Sequence, residues 1–240
     1  MIALFKKEIN NFFSSLIGYI VIIIFLAVSS IFFWFLPNGN VFDYNEASMY
    51  TFFENAPYLF LLLIPAITMR SFAEEKSTGT LESLITKPIS ETMVILAKYF
   101  ASLVLVGIAI LPTTIYYFSL YHMGNPVGNI DTGSVIGSYF GLFLLASIYV
   151  AIGLFASSIA NNQIVALLVA ILLCLVLTQW LNWIGGWDKG ASLFLLDMGV
   201  LPHYMSISRG VIDTRDLVYF VTANAFFLLA TKTILQKRKW

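Results

Sequence analysis

Cysteine is almost absent. Cys174 stands alone in an apolar run, so one chain cannot build a disulfide framework. Charge is scarce too: Asp, Glu, Lys and Arg make up 11% of the 240 residues, where a soluble domain carries about 25%. The formal net charge is zero, which gives no electrostatic argument for nucleic acid as a partner. There are two histidines, His122 and His203, in separate segments, with no H-E-x-x-H and no Cys/His cluster, so no metal site is expected. No G-x-x-x-x-G-K-[ST] loop is present, and the chain cannot bind ATP in the P-loop manner. A Ser/His/Asp constellation cannot be assembled either. His203 with Asp197 is the best foothold left for an integral-membrane enzyme. Inside the long apolar runs no clear ionisable residue stands out, which counts against an ion-coupled carrier.

What is abundant is apolar surface. Hydrophobic residues make up 59% of the chain and the mean hydropathy is +0.86. That is too much for a surface facing water, so lipid is the solvent of most of this chain. Residues 1–15 place Ile2, Phe5, Ile9, Phe12 and Phe13 at helical spacing, with Lys6, Lys7, Glu8, Asn10 and Asn11 between them. That pattern predicts an interfacial helix, a frayed tail being the competing reading. Six spans follow, at about 16–36, 56–69, 95–121, 134–157, 164–183 and 217–235, all in one domain over residues 1–240. The first run could be read as a signal peptide cleaved near Ala27, Val28 and Ser29, but it continues well past a typical apolar core. Pro65 and Pro112 are expected to kink the second and third spans. Asn161 and Asn162 turn the fourth span tightly into the fifth. Residues 184–214 are too polar to span and too apolar for a free loop, which predicts a pair of short helices before the sixth span, lying on the membrane surface or dipping in from it. Ser102, Thr113, Thr114, Ser147 and Thr178 read as packing and kink devices rather than a substrate path.

Six spans put both termini on one side. Ten of the 13 Lys and Arg residues fall on that side: Lys6, Lys7, Arg70, Lys76, Lys87, Lys98, Lys232, Lys237, Arg238 and Lys239. Lys189, Arg209 and Arg215 fall on the other. The positive-inside rule then makes the termini cytoplasmic.

The densest charged stretch, residues 70–88, lies between the second and third spans on the same side. Glu74, Glu75 and Lys76 extend the second span as a helical stub, and Gly79 marks a corner. Leu81, Leu84 and Ile85 then share one face of a short helix with Glu82 on the other, and Pro88 stops it. A solvated loop is the plain alternative. The apolar triplet and the proline stop favour a docking element.

These residues resemble a family. Glu74, Glu75, Lys76, Gly79, Thr80, Leu81, Glu82, Leu84 and Pro88 match the E-E-[RK]-x-x-G-T-[LM]-E-x-L-x-x-x-P signature of the permease subunits of type-2 ABC transporters. Residues 64–70 and 156–163 are similar to that family's second-span end and its fourth-to-fifth hairpin. Residues 203–220 resemble the segment before the last span of the gliding-motility-associated (Gld-type) permeases, with copper-processing and sodium-export permeases as relatives. The resemblance implies an all-α integral membrane fold: six transmembrane helices, an N-terminal interfacial helix, a cytoplasmic coupling helix between spans two and three, and short extracytoplasmic helices before span six. It implies a bacterial inner-membrane protein with no ATPase motifs and no cofactor of its own, ATP being bound by a separate ABC ATPase subunit. Glu74, Glu75, Gly79, Thr80, Leu81, Glu82, Leu84, Ile85 and Pro88 would be the ATPase-coupling residues, with 81–86 as the coupling helix. A second permease, or an auxiliary membrane subunit with a large extracytoplasmic domain, would stand beside it. The function implied is export or mechanical work driven by that ATPase. The alternative is a membrane-embedded scaffold or mechanotransmitting subunit that moves no solute. Neither reading identifies substrate-binding residues.

Overall fold

The computed structural model describes residues 1–36, 41–42, 48–80, 90–180, 198–210 and 213–237. Among them every regular element is helical. The apolar face of residues 1–15 forms α1 (Ile2–Ser14), with Leu4 buried and Ile9, Phe12 and Phe13 against the core. Ile2, expected on that face, is 73% exposed. Ser15 is extended (φ −94°, ψ 130°) and separates α1 from α2 (Leu16–Trp34). Gly18 permits the bend, because a Cβ there would lie 2.5 Å from the Phe12 carbonyl oxygen. α2 buries only Gly18, Phe25, Ser29 and Phe33. Those positions form one helical stripe, and the rest of α2 is the surface the sequence assigns to lipid.

The second span, expected over 56–69 with residues 49–53 adding turns before it, begins at Tyr50. α3 (Tyr50–Thr68) runs through Pro57 and Pro65 as one helix. The interruption falls at Met69, which keeps helical angles and bonds back to the Pro65 carbonyl (2.8 Å). α4 (Arg70–Ser77) continues directly from it, giving a run of 28 residues from Tyr50 to Ser77 broken only at Met69. Gly79 then turns the chain with φ +70° and open space around it, so backbone conformation and not packing selects the glycine. The segment expected to dock, residues 81–86, falls within residues 81–89, which lie outside the described residues, and with it Leu81, Glu82, Leu84, Ile85 and Pro88.

α5 (Glu91–Ile110) follows Ser90 as its N-cap residue, but the Ser90 hydroxyl faces Thr92 Oγ1 (3.2 Å) and caps no backbone N–H. At Pro112 the helix tightens into a 3-10 turn (Leu111–Thr113) before α6 (Thr114–Met123). The missing N–H of proline accounts for the change of pitch. Asp131 caps α7 (Thr132–Ile159) through Ser134 N–H (3.1 Å), and Asn162 caps α8 (Gln163–Leu175) through Ile164 N–H (2.9 Å). The short turn between them is the expected hairpin. α8 passes into a π-helical turn, Val176–Trp180. The last expected residues of that span, 181–183, lie outside the described residues, as do 184–197.

Before the last span, one short helix is described, α9 (Val200–Ser208). It dips into the bundle with one face: Val200, Tyr204 and Ile207 are fully buried. Tyr204 donates to the Phe53 carbonyl (2.7 Å), and burial pushes its hydroxyl pKa well up, keeping it a neutral donor. α10 (Thr214–Lys237) closes the chain. Five helices or helix pairs are long and apolar enough to cross a membrane: α2, α3 with α4, α5 with α6, α7 and α10. α8 and its π turn form a shorter apolar helix.

α7 is the hub. From Leu145 to Leu154 every residue is buried, with Leu145, Ala146, Ile148, Tyr149, Val150, Ala151, Ile152 and Leu154 at zero exposure, so this part of the helix is buried on all sides. It meets α3, α4, α5, α8, α9 and α10. Small residues set the approach. A Cβ at Gly153 would stand 2.8 Å from Thr68 Cβ, and one at Gly141 3.0 Å from an Ile207 methyl. Gly153→Ala should therefore cost about 1–3 kcal/mol of overpacking, read as reduced resistance to denaturation by SDS in mixed micelles. Adding Thr68→Ala, which removes the hydroxyl and methyl nearest that Cβ, should recover part of the loss. Equal stability of Gly153→Ala and the parent would contradict the close α3–α7 crossing.

Candidate functional site: a charged clamp on the elbow helix

α4 is the part of the docking stretch that is described, and three other helices hold it. The break at Met69 would leave the first N–H groups of α4 without partners. Ser157 Oγ, on α7, accepts from Phe72 N–H (2.9 Å) and Ala73 N–H (3.0 Å) and donates to the Met69 carbonyl (3.0 Å). It acts as an N-cap supplied from another helix. At the other end of α4, Lys76 Nζ reaches the Ser158 carbonyl and the Ala160 carbonyl (3.2 Å), which close the C-terminus of α7. A cation there meets the negative end of the helix dipole.

The third tie is ionic. Lys98, on α5, is 1% exposed. Its ammonium donates to Glu8 Oε1 on α1 (2.8 Å) and to the Ser71 carbonyl on α4 (2.6 Å), with Glu75 Oε1 at 3.1 Å as an ion pair. Three acceptors match the three donors of an ammonium. The Phe72 ring lies beneath it, 5.1 Å to the centroid. Lys7, mostly exposed, adds a longer contact to Glu75 Oε1 (3.4 Å). Two lysines thus balance two carboxylates, and α1, α4 and α5 meet in one neutral cluster. Glu75 Oε2 is buried in the same place with no hydrogen bond among the described residues, an acceptor in reserve. Beside it, Arg70 Nη1 donates to Ser15 Oγ (2.7 Å) at the α1–α2 bend.

The coupling residues named from the sequence thus fare differently. Glu75 is buried in the clamp and Glu74 is half-buried beside it. Gly79 and Thr80 are exposed at the corner, where Thr80 Oγ1 faces Thr78 Oγ1 (2.9 Å). The other five lie outside the described residues. Lys98 and Glu8 were missed. Lys98 sits inside the expected third span, against the reading that the spans hold no clear ionisable residue. Its signal was positional: Val94, Ile95, Ala101, Ser102 and Leu105 lie three, four or seven residues away on the same helix face, and all are buried. Glu8, placed on the polar face of α1, turns inward to meet Lys98 because Leu4 and Phe12 flank it at four-residue spacing.

The polar residues of the spans serve as packing devices, as their types suggest. Thr113, Thr114, Ser147 and Thr178 bond back to carbonyls three or four residues earlier. Ser147 also accepts from Asn224 Nδ2 (2.8 Å), whose Oδ1 accepts from Tyr99 (2.9 Å), tying α10 to α5 and α7. His203 is engaged with Asp216 at the head of α10 (Nδ1 to Oδ1, 2.7 Å) and stacks on Tyr219. Asp197 lies outside the described residues. Among the described residues no three His, Cys, Asp or Glu side chains come together as a metal site.

An all-helical bundle with this many long apolar helices is a multi-pass membrane protein. Within that class, the family model for "ABC-2 family transporter protein" matches residues 35–180, and the chain belongs to that family. It is the permease component of an ABC transporter, and the family implies an ABC ATPase as its partner. No curated protein matches the chain.

Breaking the cluster should be costly. Lys98→Met strands two mostly buried carboxylates and should lose roughly 3 kcal/mol, the lower end for a buried pair. Lys98→Met with Glu75→Gln should lose less than the sum of the single changes, by about 1 kcal/mol or more. SDS titration of the four proteins reads the coupling, and strict additivity would show that the three helices are not locked through this charge.

Proposed function

We propose that this permease subunit receives the ATPase stroke through residues 81–86 as a coupling helix and passes it to the bundle through α4. The reading is supported above all by the attachment of α4: Ser157, Lys76 and Lys98 fix it to α7, α5 and α1. A push on the corner at Gly79 would therefore move the hub helix and not a loose loop. Leu81, Leu84 and Ile85 would enter an apolar groove of the ATPase, with Glu82 at its rim. Glu74, Glu75, Gly79, Thr80 and Pro88 would set the angle of entry. ATP would be bound by the partner alone. The sequence pattern of residues 203–220 supports the gliding-motility type within the family, working across a bacterial inner membrane with both termini in the cytoplasm. An auxiliary membrane subunit with a large extracytoplasmic domain would complete the complex.

Leu84→Glu with Ile85→Glu would force carboxylates into the apolar groove. The ATPase recovered with affinity-purified permease should fall at least about tenfold, equivalent to 1.4 kcal/mol, while the permease still reaches the membrane. Undiminished recovery would remove residues 81–86 from the interface. Mass spectrometry of the parent complex should identify the auxiliary subunit among the co-purifying proteins.

A further inference from the structure

At the end of the bundle opposite the clamp, the first turns of α3 and α7, the end of α6 and the end of α9 leave an open cavity of about 730 Å³. That lies within the range of small-molecule sites, which are mostly apolar with a few placed polar groups. The chemistry of its wall is one-sided. Glu54 and Asp131 line it, and no Lys, Arg or His is among its described lining residues. Asp131 uses Oδ1 to cap α7 and has a second oxygen left. The side-chain amides of Asn125 and Asn129 line the same space and hold no hydrogen bond among the described residues. The same wall is in part apolar and aromatic, with Phe53 and Met205. Two acids, two amides and an apolar stretch of wall in one cavity suit a ligand with a positive head, hydrogen-bond donors and an apolar body.

We propose that this vestibule binds an organic cation, an ammonium or guanidinium group carried on an apolar stem. The head sits between Glu54 and Asp131 and donates to the amide oxygens, and the stem lies toward Phe53 and Met205, where aromatic and thioether groups accept a soft apolar surface. The class covers a free amphiphilic amine and the amino head of a lipid alike. The site shares no residue with the ATPase-coupling segment or the clamp, since none of its lining residues belongs to α1, α4 or α5.

The test is photolabelling of the purified full-length protein in phosphatidylcholine nanodiscs with a diazirine-bearing octylammonium ion, and with its uncharged octanol counterpart. Adducts of the cation should map by mass spectrometry to residues 48–54, 120–138 and 205–208, and the octanol probe should label them at least about tenfold less. Glu54→Gln with Asp131→Asn should cut cation labelling there by roughly tenfold, as loss of two charge-assisted contacts predicts. Asn caps a helix as well as Asp does, and an unchanged SDS-unfolding curve confirms that the double variant is folded. Competition by excess soluble octylammonium, with none by phosphatidylethanolamine added to the nanodiscs, assigns a free amine; the reverse assigns a lipid head. Equal labelling by the uncharged probe, undiminished labelling of the double variant, or adducts confined to other segments would overturn the proposal.

Discussion

A lysine with 1% exposure is the constraint around which one end of this molecule is arranged. Removing an ammonium from water costs several kcal/mol, and the loss is recovered only with close acceptors and an opposite charge. Lys98 finds them on three elements: Glu8 on α1, Glu75 and the Ser71 carbonyl on α4. None of these helices can shift alone without leaving a charge unpaired in a dry place. The ionic tie is therefore a positional one. It holds an amphipathic helix, the extension of the second span and the start of the third at fixed relative places. Ser157 and Lys76 do the same between α4 and α7 with neutral and dipolar contacts.

Much of this was legible in the sequence, and the failures have physical causes. Long uncharged runs read directly as α2 and α7, because helical hydropathy needs no tertiary information. Asn161 and Asn162 read as a turn for the same local reason, and Gly79 as a corner. Lys98 was harder. Counting charges assigns it to the membrane surface, and only its helical neighbours at three- and four-residue spacing, Val94, Ile95, Ala101 and the small Ser102, show that its face is buried. The identity of its partners could not be read at all, since Glu8 and Glu75 come from segments 90 and 23 residues away and only the fold brings them together. A kink of the second span is expected at Pro65; the helix is continuous through that proline, and its interruption occurs at Met69. Proline removes a donor, but here the helix absorbs that loss, and the break comes where Ser157 supplies an alternative acceptor.

α9 shows the other kind of limit. Its composition, half polar and half apolar, suggests a helix on the membrane surface or dipping in from it. Val200, Tyr204 and Ile207 form one face, and the phenol of Tyr204 has a carbonyl waiting at the first turns of α3. The amphipathic pattern is the same for a helix lying on lipid and one lying on protein. What decides between them is the presence of a receiving surface, here Gly141 of α7, small enough for Ile207 to approach.

The clamp and the vestibule lie at the two ends of the same pair of helices. The rod from Tyr50 to Ser77 contributes Phe53 and Glu54 to the cavity at one end and Glu75 to the charged cluster at the other. α7 contributes Asp131 at the first end and Ser157 at the second. Between them Gly153 seats against Thr68 with no space for a methyl group, so the two helices cannot slide past each other without first separating. A displacement of α4 should then reach the far end as a movement of the paired helices together. The cavity wall formed by α6 and α9 is contributed by separate elements, so such a movement would change the width of the cavity rather than carry it along whole. Close packing in the middle and a mixed wall at the end are what would let a push at one face of the membrane alter a site at the other.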